Sequence, residues 1–130
     1  MKRHLKSNCC HTVNISLSEE RCIIVDVRTP KAIKPHVCDE CKREIGKGEV
    51  YRREVVKYSD LFHHKMCADC LSVREVFFSS GWYFGGLWRD FEDFVVSCDG
   101  NISSSQLRMI TKPARDKICD MLEEYWKDNY

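Results

Sequence analysis

From Thr12 the apolar residues Val13, Ile15 and Leu17 alternate with polar ones, and Cys22-Ile23-Ile24-Val25-Asp26-Val27 follows a polar step at 18–21. Alternation with period two turns one face inward and one outward, so these runs predict a short β-hairpin. Residues 29–36 hold Pro30 and Pro35 among basic side chains and read as an extended connector. Residues 49–58 are rich in Val and Tyr, Ser59-Asp60 can turn the chain, and Leu61-Phe62-His63-His64 can return as a partner strand.

Beyond residue 70 the period changes. Residues 71–78 have helical composition and end before Gly81. Phe84, Leu87, Trp88, Phe91, Val95 and Cys98 then fall at three- and four-residue steps, with Arg89, Asp90, Glu92 and Asp93 between them, which predicts an amphipathic helix over 82–98. Residues 104–110 suggest a short helix, and Thr111-Lys112-Pro113 starts a last one over 112–127. In it Ala114, Ile118, Met121, Leu122 and Tyr125 share a face, while Asp116, Lys117, Asp120, Glu123 and Glu124 face water. The expected fold class is α+β, divided into a basic N-terminal segment (1–34), a middle module (35–80) and a helical region packed on it (81–130).

Composition narrows the function. The chain has 130 residues with 43% hydrophobic side chains, room for one small domain, and no run approaches the roughly 18 apolar residues of a membrane span. The formal net charge is only +1, but residues 1–34 carry seven basic and three acidic groups, whereas 81–130 carry six basic and nine acidic. A basic head and an acidic tail result. MKRHLKSNCCHT lacks an apolar export stretch, so the expectation is a soluble protein in a reducing cytoplasm.

Nine cysteines in such a compartment point to metal or thiol chemistry, and an odd number argues against a closed disulfide framework. Cys38-x2-Cys41 and Cys67-x2-Cys70 form two CxxC turns separated by 25 residues. A CxxC turn presents two thiolates to one ion, two such turns complete a tetrahedral set, and the second sits at an expected helix start whose amides favour thiolate charge. One structural Zn2+ is therefore expected on Cys38, Cys41, Cys67 and Cys70. His64 supplies an alternative fourth ligand in place of Cys70, but that choice leaves a thiol unassigned. Cys9, Cys10, His11 and Cys22 are candidates for a second site without a recognisable spacing, and Cys98 and Cys119 are expected to pack in helix cores.

Cys38-Asp39-Glu40-Cys41 through Gly46-Lys47-Gly48, followed by His64-Lys65-Met66-Cys67-Ala68-Asp69-Cys70, resembles a treble-clef zinc module of knuckle, β-hairpin and helix. It is also similar to the first half of a LIM domain, departing from it where Val73 stands in place of a further cysteine. The longer stretch from Lys31 to Trp88 resembles small proteins of bacteriophages and prophages that carry this knuckle. That resemblance implies phage or prophage origin rather than an activity; the expected function is a non-catalytic interaction protein that binds and modulates a host or phage protein in the bacterial cytoplasm, meeting it through the aromatic and acidic C-terminal half.

Other readings use the same residues. Lys2, Arg3, Lys6, Arg21, Arg28, Lys31 and Lys34, joined by Arg52, Arg53 and Lys57, could face phosphates, which makes a nucleic-acid-binding regulator the alternative function. An HNH-type nuclease would use His63 and His64, but residues 71–78 carry neither Asn nor His to complete such a site. The aromatics Phe77, Phe78, Trp82, Tyr83, Phe84, Trp88, Phe91 and Phe94 exceed what one helix face needs, and the surplus is a candidate protein-binding patch.

Overall fold

The computed structural model describes residues 23–129 apart from Ser80 and Tyr83. The arm at 12–17 and the candidate ligands Cys9, Cys10, His11 and Cys22 lie outside the described residues. Within them the chain is α+β, with two sheets and four helices. No described helix is long and apolar enough to cross a membrane.

Strands β1 (Ile23–Arg28), β4 (Tyr51–Tyr58) and β5 (Asp60–Cys67) form an antiparallel sheet in the order β1-β4-β5. The hairpin between β4 and β5 turns through Ser59 at φ 59°. Its register pairs Val56 with Phe62, Glu54 with His64 and Tyr51 with Cys67. β5 thus runs three residues past the expected His64 and delivers Cys67 to the start of the next helix. A second, two-stranded sheet pairs β2 (His36–Val37) with β3 (Glu44–Ile45) and closes the loop that carries Cys38 and Cys41. β1 is the second arm of the expected N-terminal hairpin, and it lies against β4 with a bulge between Ile24 and Asp26.

The helices gather on one face of the larger sheet, where Glu54, Val56, His64 and Met66 are buried. α1 (Ala68–Phe77) touches β4, β5 and α4 (Lys112–Asn129), and α2 (Leu87–Ser97) also touches α4. The buried stripe Ala114, Ile118 and Leu122 of α4 follows the predicted face, with Met121 and Tyr125 half-buried beside it. Glu54 is fully buried under the sheet and is neutralised by Arg74 at 3.0 Å and Arg52 at 3.4 Å. Arg74 in turn stacks 3.9 Å from the Trp82 ring centroid.

Three expectations need correction. α2 begins at Leu87, not Trp82, because Gly85 takes φ +83° and the preceding loop buries Trp82 and Phe84 against His64 instead of winding them into a turn. The short helix, α3 (Ser104–Leu107), stops three residues early, while α4 runs on to Asn129. Cys119 is exposed and Cys98 is half-buried at the end of α2, so neither is a core residue. The aromatic surplus is also largely internal: Phe77, Phe78, Phe91 and Phe94 stack edge-to-face or tilted within 5.1–6.3 Å, and none of them is exposed.

The end of α2 sets a steric limit. Gly100, at φ +74°, is the point where α4 crosses, and a Cβ there would collide with Trp126 Nε1 and lie 2.9 Å from Tyr125 Cδ2. Gly100→Ala is expected to cost about 1–3 kcal/mol through left-handed strain and overpacking. The check is a lower urea midpoint with an unchanged m-value.

Candidate metal centre

The structure brings the two CxxC turns together. The sulfurs of Cys38, Cys41, Cys67 and Cys70 all lie within 4.8 Å of one another, with Cys38–Cys70 and Cys41–Cys67 each at 3.8 Å, and all four are free of disulfides. Cys38, Cys67 and Cys70 are buried, and Cys41 is half-buried. Such a group could hold a metal ion.

Local backbone geometry explains the convergence. Lys42 takes φ 69°, which lets its amide reach back to the Cys38 carbonyl at 2.9 Å while the Cys38 amide donates to the Arg43 carbonyl at 2.9 Å. The turn around Cys38 and Cys41 is thereby closed on itself. Asp39 clamps it to β5: its amide donates to the Lys65 carbonyl and its carboxylate accepts from the Lys65 amide, both at 2.8 Å. Cys67 stands at the N-cap of α1 and Cys70 in its first turn, where free amides and the helix dipole favour negative sulfur.

Donors also converge on the sulfurs. The amides of Cys67 and Glu40 point at Cys38 Sγ from 3.3 and 3.4 Å, and the Trp88 indole N–H donates to Cys70 Sγ at 3.2 Å. The thiols share charge unequally. Cys38 is held well below the ordinary thiol range by the S–H donors of Cys41, Cys67 and Cys70. Cys41, raised by Cys38 but lowered by Cys67 and Cys70, sits at about 7. Cys67 and Cys70 are pushed up, first by Cys38 and then by Cys41, with burial adding to it. A divalent cation relieves this competition because it stabilises four thiolates at once.

His64 stands apart from this group. It is buried on the helix side of β5, and its Nε2 meets Glu40 Oε2 at 2.7 Å. His63 points the opposite way and is exposed, with Nδ1 3.5 Å from Arg53.

Two acidic residues missed as functional are the spacers of the CxxC turns. The Glu40 carboxylate is fully buried and accepts from His64, from the Gly85 amide at 2.7 Å and from the Leu87 amide at 3.0 Å, so it caps the start of α2 from the loop that carries Cys38 and Cys41. Asp69 accepts from the Thr111 hydroxyl at 2.6 Å, and Thr111 itself accepts from the Ala114 amide in the first turn of α4. Arg43, from the first turn, bridges Glu49 and Asp69. The signal was an acid immediately before the second cysteine of each pair.

The chain matches no protein-family model, no curated protein and no solved structure.

Glu40→Ala strands a buried imidazole and two amides, and the expected loss is about 3–5 kcal/mol. Thermal unfolding of the metal-loaded protein checks it. Because Cys67 and Cys70 hold their protons above the ordinary range, metal uptake releases protons and the apparent metal affinity rises with pH. Competition titrations with a chelator at pH 6, 7 and 8 should follow that sign.

Proposed function

We propose that the chain is a non-catalytic, zinc-stabilised interaction protein, in which one structural Zn2+ on Cys38, Cys41, Cys67 and Cys70 organises a treble-clef arrangement of knuckle, β4–β5 hairpin and α1. The observation that carries the reading is the sulfur spacing. Tetrahedral zinc with Zn–S bonds of about 2.3 Å has S···S edges of about 3.8 Å, and two pairs in the cluster are at 3.8 Å. Four thiolates fill the coordination sphere and leave no position for water or substrate, which is the pattern of a structural site.

Several features agree with an architectural role. Glu40 and Asp69 couple the site to the starts of α2 and α4, so the metal would order more than its own loop. His63 and His64 project to opposite faces of β5, an arrangement that does not favour a nuclease built on that pair. In keeping with the resemblance of residues 31–88 to phage and prophage proteins, the partner is a host or phage protein met in the bacterial cytoplasm.

Freshly purified protein should carry about one zinc per chain, and cobalt exchange should give the spectrum of a tetrahedral tetrathiolate. Cys70→Ser should lose the metal or its spectrum. His64→Ala should keep the metal while lowering the melting temperature. Protein without metal, or loss of the metal in His64→Ala with Cys70→Ser unaffected, overturns the assignment.

A further inference from the structure

The face of the larger sheet turned away from the helices has an uncommon order. Register places Arg28 opposite Arg53 and Arg53 opposite Lys65, so three cations stand in one row across β1, β4 and β5. Neighbouring strands are about 4.8 Å apart, and like charges directly opposite each other destabilise a sheet. Asp26 pairs with Arg28 at 2.8 Å and the Asp39 carboxylate accepts from the Lys65 amide at 2.8 Å, while neither Arg53 nor Lys65 has a salt bridge among the described residues. Lys34 lies close by, and the charge is felt at His36, whose imidazole is held below its ordinary value by desolvation and then by Lys65, Lys34 and Arg53.

The other end of the same face is aliphatic. Ile23 and Leu61 flank Lys57 in a second cross-strand row, and the bulge presents Val25 beside it. These three are 49%, 62% and 52% exposed. A cation row in which only Arg28 has a carboxylate partner among the described residues, next to an exposed aliphatic patch, is complementary to a ligand that is acidic at one end and apolar at the other.

We propose that this open face, from Arg28, Arg53 and Lys65 to Ile23, Val25 and Leu61, is the docking surface for an acidic, amphipathic segment of a partner protein. The proposal rests on the reading of the chain as an interaction protein and names the chemistry of its partner. Nucleic acid fits less well. Phosphates would use the cation row, but bases stack on aromatic platforms, and the only exposed large aromatic among the described residues is Trp126 on α4. The chain's own first 22 residues are basic overall and lack charge complementarity to the row.

Fluorescence anisotropy on the full, zinc-loaded chain tests this with three labelled probes of equal charge. They are a soluble peptide with glutamates on one stripe and leucines on the other, an oligo-glutamate, and a single-stranded oligo-dT. The amphipathic peptide should bind at least about tenfold more tightly than the other two, equivalent to about 1.4 kcal/mol. Arg53→Glu/Lys65→Glu should weaken it by about tenfold or more and Leu61→Ser by several-fold, whereas Lys47→Glu/Lys127→Glu, a charge change elsewhere on the surface, should leave it unchanged.

Equal or tighter binding of oligo-glutamate or oligo-dT overturns the proposal. So does unchanged binding in both face variants, or a wild-type dimer that Arg53→Glu/Lys65→Glu disperses, since the occupant would then be a second copy. Metal content and the cobalt spectrum of the same samples separate the two readings: normal metal with no peptide binding defeats the surface alone, and absent metal defeats the zinc assignment.

Discussion

Four sulfurs held within 4.8 Å of one another make the constraint on which the remaining structure depends. Two come from a turn closed by β2 and β3, and two from the junction of β5 and α1. The hairpin between them must therefore have a fixed length and register, and the pairing of Tyr51 with Cys67 fixes where it ends. A chain this short buries limited apolar surface, and a metal cross-link would confine the unfolded state less by area than by connectivity. The sulfurs also repel one another when ionised, so the cluster favours a cation over an empty cage.

The polar residues around the sulfurs extend this constraint outward. Glu40 and Asp69 are each adjacent to a cysteine, yet their hydrogen bonds end on α2 and on the Thr111 cap of α4. Buried carboxylates are costly unless fully partnered, and Glu40 has three partners. Glu54 follows the same logic on the sheet, where Arg52 and Arg74 neutralise it and Arg74 caps the Trp82 ring. The interior is thus built from two kinds of contact, aromatic packing between helices and satisfied ionic contacts at the edges of the cysteine loop.

What the sequence revealed was what depends on neighbours close in the chain. The CxxC pairs, the Ser59 turn and the Ala114-Ile118-Leu122 stripe are local patterns, and the structure places each of them as expected. The start of α2 was misread because Phe84 and Leu87 keep helical spacing even when Gly85 breaks the helix; burial of Trp82 and Phe84 beside His64 outweighed the period. Cys119 follows Ile118 by about 100° of helix rotation, enough to carry it out of the buried stripe. Glu40 could not be paired with Gly85 or Leu87 from sequence, since only the fold brings residues 45 and 47 positions apart together. The cation row was equally hidden until the register of β1 on β4 was known.

The indole of Trp88 makes the sulfur cluster visible from outside. Its N–H rests on Cys70 while Lys117 lies 4.8 Å over its ring, so it sits between the thiol group and α4. Trp82 is enclosed beneath Arg74, and Trp126 is 44% exposed and packs against Gly100. The three tryptophans therefore occupy an interior, a sulfur-bonded and a partly exposed environment. Trp88 is the one of the three whose indole bonds a cysteine sulfur, so it is the ring through which the native chain would report on Cys70 without any added label.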